Sequence, residues 1–465
     1  MKGSAASGRV KVTADGEGVV SHAGAELLRE IAQFSGLTAA WDAALLGTYK
    51  ALPIHFPGRV LADLAVAIAD GADSISDLGV LRDHPQLFGP VASTPTAWRV
   101  LDRVSEAHLP LLRRGRAMAR ARAWAAGAGP DLSQELCLDI DATIVIAHSD
   151  KATAEPTWKK TFGHHPLLCY LDRPEVSSGE ALSGILRPGG AGSNTAQDHM
   201  KVLDLALESL PEEARPTKAD PDGPRLVVRC DAAGATHDFA THCRTHGVGF
   251  SFGFPVTQEV RDAIVDLDDD EWWDAIDTDQ GEGRDGAWVA EVTEMLDLEA
   301  WPKGSRVIVR RERPHPGAQL SLFDMIEGFR HTAFIVAPRS EHEKITTGLD
   351  HLELRHRRHA RVEDRIRQGK AAGLHNFPCK ETAENNAWLE LVLTAADLVC
   401  WSKLICFSDD EELARCEIAS FRYRILHMAA RLTRSGRVTS LRLDRTWSWA
   451  KQLALAFSRL RAAFA

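Results

Sequence analysis

Apolar residues recur along this chain in two different rhythms. Between about residues 21 and 130 they repeat at the three- and four-residue spacing of amphipathic helices, in AGAELLREIAQFSGL, PGRVLADLAVAIADG, STPTAWRVLDRV and the basic LPLLRRGRAMARARAW. In the third stretch Thr94 can cap a helix whose first position is Pro95, and Arg99 and Arg103, four apart, then share one face. From 131 to 260 short apolar runs alternate with helical stretches: ELCLDIDATIVIA, HHPLLCYLD, a Gly-rich turn, TAQDHMKVLDLALESL, PRLVVRC, a helix and VGFSFGFPV. If the Gly-rich turn leads into a third short strand, the order is three strands, helix, strand, helix, strand, which predicts an α/β fold on a mixed sheet. WPKGSRVIVRRER and GFRHTAFIVAP read as strands of an inserted β subdomain, and residues 385–465 return to helix.

Acids interrupt or end two of these apolar runs. In the first, Leu136, Leu138, Ile140, Ile144 and Ile146 are broken by Asp139 and Asp141, which share a face at period two. A carboxylate in so apolar a strand costs several kcal/mol unless it is paired or binds a metal. The second run stops at Asp231, before a glycine-containing turn and a helix, which places Asp231 at the carboxyl end of a strand, where open α/β sheets carry their sites. Taken singly, each aspartate reads as a cap or turn residue. A third acid, Glu363, changes that balance. It lies in RHRRHARVEDRIRQGK (355–370), where seven Lys/Arg against two acids leave +5. The plain reading of this stretch is a solvated helix with pairs such as Glu363 to Arg367. A carboxylate set in basic surface also suits a protein that grips a polyanion and holds a metal against it. The 131 residues between Asp231 and Glu363 are too many for one crossover.

Charge, once mapped, supports a basic surface in a chain of net charge −10 and pI near 6. Residues 262–299 hold fifteen acids and Arg284 as their single cation, so the rest of the chain stands at +4. That block reads as a solvated segment of the insertion, or as an acidic flap that competes with the polyanion for a basic groove. At 465 residues and 44% hydrophobic content, two or three domains are expected. Eight cysteines without a C-x-x-C pair, no signal-peptide pattern and no apolar run of about 18 residues point to a cytosolic protein with reduced thiols.

The residues resemble those of bacterial insertion-sequence DDE transposases. Asp141-Ala142-Thr143 is similar to the D-[GA]-T step on their first strand, and Asp231 after VVR to their second strand-end aspartate. Glu363-x6-Lys370 is similar to the Glu and Lys of their C-terminal signature. With LHNFPCK and ENNAWLELVLTAADLVCW following, the pattern most resembles transposase DDE domain group 1, the insertion-sequence 1380 family, over roughly residues 20–460. The signature's Tyr and Arg positions fall here on His356 and His359, a departure that leaves the charge to Arg357, Arg358 and Arg361.

This resemblance implies a ribonuclease-H-like catalytic core (131–260 and 340–384) with an inserted acidic and β subdomain (261–339). A disordered tail (1–20), a helical domain recognising terminal repeats (21–130) and a C-terminal helical region (385–465) would flank it. Asp141, Asp231 and Glu363 would hold two Mg²⁺ or Mn²⁺ ions for in-line displacement at phosphorus, cleaving terminal inverted repeats and joining 3′ ends to target DNA. Asp139 would be the first substitute for Asp141. Arg357, Arg358, Arg361, Arg367, Lys370, Lys159, Lys160 and Arg99 would contact double-stranded DNA, and Trp301 would stack on a flipped base. Paired ends imply a homodimer on DNA, in a cytoplasmic, nucleoid-associated bacterial protein. The alternative is a transposase-derived regulator that binds without cutting.

Weaker candidates have plainer readings. His148, His164 and His165 lack finger spacing for zinc. Gly189 to Gly192 lacks the Lys-Ser/Thr ending of a phosphate loop and reads as a turn before an Asn194 helix cap. Trp158 beside Lys159 and Lys160 could stack on bases, with packing the safer reading.

Overall fold

The structure, a computed structural model, describes residues 14–148, 150–192, 195–216 and 223–465. The amino-terminal helices are α1 (Ala25–Phe34), α2 (Leu37–Leu45), α3 (Pro57–Asp70), α4 (Thr94–Asp102) and α5 (Leu109–Ala123). Proline opens α3, where its missing N–H costs nothing, and Gly71 at φ 117° closes it with the left-handed turn a side chain resists. Ser93 rather than Thr94 occupies the cap position of α4. Of the tail expected at 1–20, residues 1–13 lie outside the described residues, and Val19–Val20 pairs as a strand with Arg431 and Ala430. The expected Asn194 cap also lies outside the described residues, and Thr195 precedes the helix.

A nine-stranded mixed sheet forms the centre. Its strands are β1 (Leu136–Ala142), β2 (Leu167–Leu171), β3 (Glu180–Ile185), β4 (Leu226–Cys230), β5 (Gly249–Phe254), β6 (Trp273–Ile276), β7 (Gly283–Glu291), β8 (Arg306–Glu312) and β9 (Arg330–Ala337). They run side by side as β6-β7-β8-β9-β5-β4-β1-β2-β3. β1 pairs parallel with β4, and β4 with β5; every other neighbour is antiparallel. Helix α6 (Ala196–Ser209) leads from β3 to β4, and α7 (His237–Thr245) makes the crossover from β4 to β5. The third strand precedes the Gly-rich turn instead of following it. Gly189 in that turn lies so close to the backbone oxygens of Glu155 and Gly163 that a β-carbon would sit 2.3 Å from each. Its requirement is close approach, not phosphate binding.

The inserted strands do not build a sheet of their own. β9 zips onto β5 from Ala333↔Phe254 to Ala337↔Phe250, so β6–β9 extend the central sheet. The helical regions are equally joined to it. After β9 come α8 (Leu349–Arg357), α9 (Arg361–Gly369), the long α10 (Thr382–Cys406) and α11 (Ala450–Ala463). One continuous apolar core runs from Ala25 through the sheet to Leu460. Helix α10 lies inside it, with Trp388 and Trp401 fully buried, each contributing on the order of 3 kcal/mol by area alone.

Buried charge pairs seal the helix-to-sheet contact. Arg120 reaches Asp397 at 2.6 Å and Glu180 at 2.7 Å, Arg116 reaches Asp397 at 3.3 Å, and Arg113 reaches Glu390 at 2.5 Å. The basic stretch LPLLRRGRAMARARAW therefore turns three of its arginines inward onto α10 and β3. Breaking any such buried pair by removing one partner leaves an uncompensated charge, at a cost of about 3–5 kcal/mol.

Candidate active site

The site is built where β1 and β4 end. Asp139 stands level with Arg229 in the parallel register, and Asp141 and Asp231 each follow two residues further on. Both aspartates thus leave neighbouring strands at their carboxyl ends. Asp231 is exposed and its Oδ1 accepts the Ala233 N–H at 2.9 Å, which fixes the turn into α7. Asp141 is partly buried and accepts the Ala142 N–H at 2.7 Å.

Glu363 arrives from the other direction, and a salt-bridge network sets its position. Asp139, fully buried, receives Arg229 twice at 2.7 Å, Arg365 at 2.7 Å and the His359 Nδ1 at 3.0 Å. Asp172, just beyond β2, receives Arg229 at 2.7 Å, Arg361 at 3.4 Å and Arg365. Arg229 also donates to the Arg355 carbonyl at 2.8 Å. The segment 355–365 is thereby clamped across β1 and β4. His359 and Glu363, four apart on a helical path, share a face; Asp139 and Asp141, two apart on a strand, share another. Anchoring His359 on Asp139 therefore carries Glu363 toward Asp141.

Electrostatics record the convergence. Burial pushes the Asp141 carboxyl up to about 6, and the charges of Asp231 and Glu363 push in the same direction, against His359 and the Ala142 N–H. Asp139 behaves oppositely. Burial alone would raise it, but Arg229 and the His359 hydrogen bond outweigh that and hold it well below the usual carboxylate range. Asp139 is thus occupied as the hub of a salt-bridge network, not poised beside Asp141.

Among the described residues, two groups of three bring their ligand atoms within 4.8 Å of one another: His22 with Asp70 and His427, and Asp204 with His242 and His246. Asp141, Asp231 and Glu363 do not form a group this tight, and a pair of ions ~3.5–4 Å apart takes a wider ring of ligands than one ion does.

The cations around Glu363 divide into paired and unpaired. Arg358 grips Asp279 with contacts of 2.8 and 2.6 Å, while Arg357 holds Glu353 at 3.0 Å, Asp277 at 3.3 Å and the Ile276 carbonyl. The acidic turn between β6 and β7 thus sits on two of the expected DNA contacts. Arg361 bonds Asp172, and Arg367 bonds Asp364 at 3.1 Å and Glu417 at 2.9 Å in place of Glu363. Glu363 itself has no ion-pair partner among the described residues. Lys370 is partly buried and its ammonium is lowered by that burial and by Lys159, so two lysines distant in sequence converge. Lys159 lies 4.9 Å over the Trp158 ring, itself 70% exposed, and Lys160 is exposed beside it. Arg99 is exposed on α4, whereas Arg103 donates to the Thr48 carbonyl at 3.0 Å and covers Tyr49.

The structure gives other residues packing roles. Trp301 is partly buried and meets His237 and Phe254 edge-on at 4.7 and 5.8 Å. His356 stacks on Phe334 at 4.5 Å and bonds Ser251 at 2.9 Å; its burial holds it well below the usual imidazole value. His164 is buried edge-on to Phe377, and neither it nor His165 joins a group with metal-ligand spacing among the described residues. Missed in the sequence were Arg229, Arg365 and Asp172. A signal existed: Arg229 precedes Asp231 by two, as Asp139 precedes Asp141, so parallel register alone would have paired them.

The model of one family, transposase DDE domain group 1, matches residues 3–464. No curated protein matches the chain. Among solved structures, the cryo-EM structure of a piggyBac transposase synaptic complex with hairpin DNA is similar over 87% of this chain and 78% of that chain, at 10% identity and a TM-score of 0.39.

Proposed function

This chain belongs to the transposase DDE domain group 1 family, and from that premise we propose that it is a DNA transposase whose active site is Asp141, Asp231 and Glu363. The observation that carries the assignment is the Asp141 carboxyl, raised to about 6 by burial and by the charges of the other two acids. Three carboxylates, none ion-paired to an arginine among the described residues, form a donor set of hard oxygens suited to Mg²⁺ or Mn²⁺. Bound there, two such ions would activate the attacking hydroxyl and neutralise the departing oxygen of an in-line displacement at phosphorus.

The chain's own groups do the rest. Asp139, Arg229 and Arg365 hold the three carboxylates in register. Lys370 and Lys159 meet the phosphates beside the scissile bond, and exposed Trp158 offers a ring to an unpaired base. The five strands β1–β5, with their helices, form a ribonuclease-H-like core, and the exposed face of α4 with Arg99 contacts the terminal repeat. The substrates are the terminal inverted repeats of an insertion sequence and a target duplex, bound by two protomers on paired ends. The test is strand cleavage in Mg²⁺ on DNA carrying the element's own ends. Cleavage at the repeat boundary that is lost in Asp231→Asn supports the reading. Sequence-specific binding without cleavage in Mg²⁺ or Mn²⁺ would overturn it in favour of a regulator.

A further inference from the structure

A second, chemically different metal site is built on the far side of the sheet. Helix α7 leaves the Asp231 end of β4 and runs back to the start of β5, so its last turn lies at the opposite sheet edge from the carboxylate trio. That turn carries His242 and, immediately after the helix, His246. Residues four apart on a helical path share a face, and the two rings are 4.5 Å apart. Facing them on α6 is Asp204, whose Oδ1 lies 2.7 Å from His242 Nε2 and 3.5 Å from His246 Nε2.

We propose that Asp204, His242 and His246 bind a borderline transition-metal dication, Zn²⁺ being the representative. Three ligand atoms from two helices already lie within 4.8 Å of one another. Two imidazoles and one carboxylate suit Zn²⁺ and its neighbours, whereas an all-carboxylate set suits Mg²⁺. Asp204 and His246 also border a surface cavity of about 360 Å³ together with Glu208, one helical turn beyond Asp204. The fourth coordination position therefore opens on water or on Glu208. Arg215 lines the same cavity, but its guanidinium is turned onto the carbonyl oxygens of Leu210 at 2.9 Å and Glu208 at 2.7 Å. A cation held here replaces the Asp204–His242 hydrogen bond and needs an imidazole nitrogen free of its proton, so affinity falls in acid.

The other triad, His22, Asp70 and His427, does not share this character. His427 Nε2 bonds the Asp70 carbonyl at 3.0 Å and lies 3.2 Å from its carboxylate, and Arg422 donates to the adjoining carbonyls of Ala69 and Ile68. That cluster keeps one buried Asp70 oxygen, Oδ1, without a hydrogen-bond partner, but His427 Nε2 is already on a backbone carbonyl and the Arg422 guanidinium flanks it. At α6 and α7 the metal would staple two helices of the core. It lies at the other end of these strands from the carboxylate trio, so the inference stands apart from the transposase reading.

The experiment is calorimetric titration of the full chain with Zn²⁺ near neutral pH, with visible absorption of the Co²⁺ form as a second readout. Thermal melting without metal checks that each variant is folded. His242→Ala and His246→Ala should each remove one tight Zn²⁺ site, losing more than the ~10–100-fold that a supporting group costs. Asp204→Asn, which keeps a hydrogen bond to His242, should weaken the same site. Asp141→Asn and Asp231→Asn should leave it unchanged. A Zn²⁺ stoichiometry identical in wild type and both histidine variants, or a site lost only in the Asp141 or Asp231 variants, overturns the proposal.

Discussion

Two acidic clusters lie side by side on β1, one closed with arginines and one with no arginine ion-paired to it among the described residues. Around Asp139 and Asp172, the guanidinium groups of Arg229, Arg361 and Arg365 meet every carboxylate, and Asp139 is held far toward its charged form. Two residues on, burial and then the charges of Asp231 and Glu363, opposed by His359, push Asp141 toward its neutral form. Strand, face and residue type are the same. What differs is whether the fold supplies the counter-charge itself, and a cluster whose counter-charge is withheld is one that awaits a cation.

Cleavage should separate the clusters most sharply. Asp141→Asn, Asp231→Asn and Glu363→Gln each remove a hard oxygen donor, at a cost of several kcal/mol of transition-state stabilisation, on the order of 10³-fold in rate. Their folding should be intact. Asp139→Ala should instead lower stability by about 3–5 kcal/mol, because Arg229 and Arg365 lose the charge they are buried against. Paired cleavage assays and urea unfolding would check both arms. A stable, inactive Asp139 variant would break the comparison.

The same contrast predicts a pH dependence of metal-free stability. The Asp141 carboxyl titrates near 6 when folded and near its ordinary 3.8 when unfolded. Between those values the folded state binds the proton first, so this group's penalty is fully present above about pH 6 and is relieved as the pH falls toward 3.8. Metal-free Asp141→Asn should therefore be more stable than wild type above pH 6, by about 1–2 kcal/mol once partial solvent exposure is allowed for. The gap should close under acid. Added Mn²⁺ should stabilise wild type above pH 6 and lose that effect as protons compete for Asp141. An equal Mn²⁺ effect in the variant would remove Asp141 from the ligand set.

How much of this was readable in the chain depended on whether the partner was local. Asp141 and Asp231 end apolar runs, so strand position and chemistry coincide in a short window. Glu363 was legible through its spacing to Lys370. Arg113, Arg116 and Arg120 were not legible as core residues, because Glu390 and Asp397 come from α10, some 277 residues away. For the same reason the helical stretches at either end read as separate domains, although α3, α5 and α10 share one core. Removing residues 1–130 would expose α10 rather than release an independent unit. The inserted strands read as a subdomain because nothing in RHTAFIVA, the sequence of β9, tells that it will pair with β5. His242 and His246 carry a usable signal, His-x3-His, that finger spacing does not capture.

Cations extend the comparison to DNA binding. Lys370 and Lys159 crowd each other with no acid partner among the described residues, while Arg358 and Arg361 are matched by Asp279 and Asp172. A charge already neutralised contributes less counterion release. Lys370→Ala and Lys159→Ala should each lower the slope of log K against log salt by about one unit, and Arg358→Ala by distinctly less. Binding measured across a salt series checks this. Equal slopes for all three variants would mean the acidic turn yields to DNA completely.

The smallest expected effect addresses that turn directly. Asp279 sits between β6 and β7 and is held below its ordinary value first by the Arg358 hydrogen bonds, with the Arg358 charge acting in the same direction after slight desolvation. In Asp279→Asn the pair is lost and Arg358 is free for phosphate. An exposed pair is worth at most about 1 kcal/mol, so DNA affinity should rise only about two- to fivefold at low salt. The gain should disappear when Arg358→Ala is combined with it, because the turn then has nothing to withhold. A gain that persists in the double variant would trace to general loss of negative charge. A loss of affinity would mean that Asp279 holds Arg358 in its binding position instead of covering it.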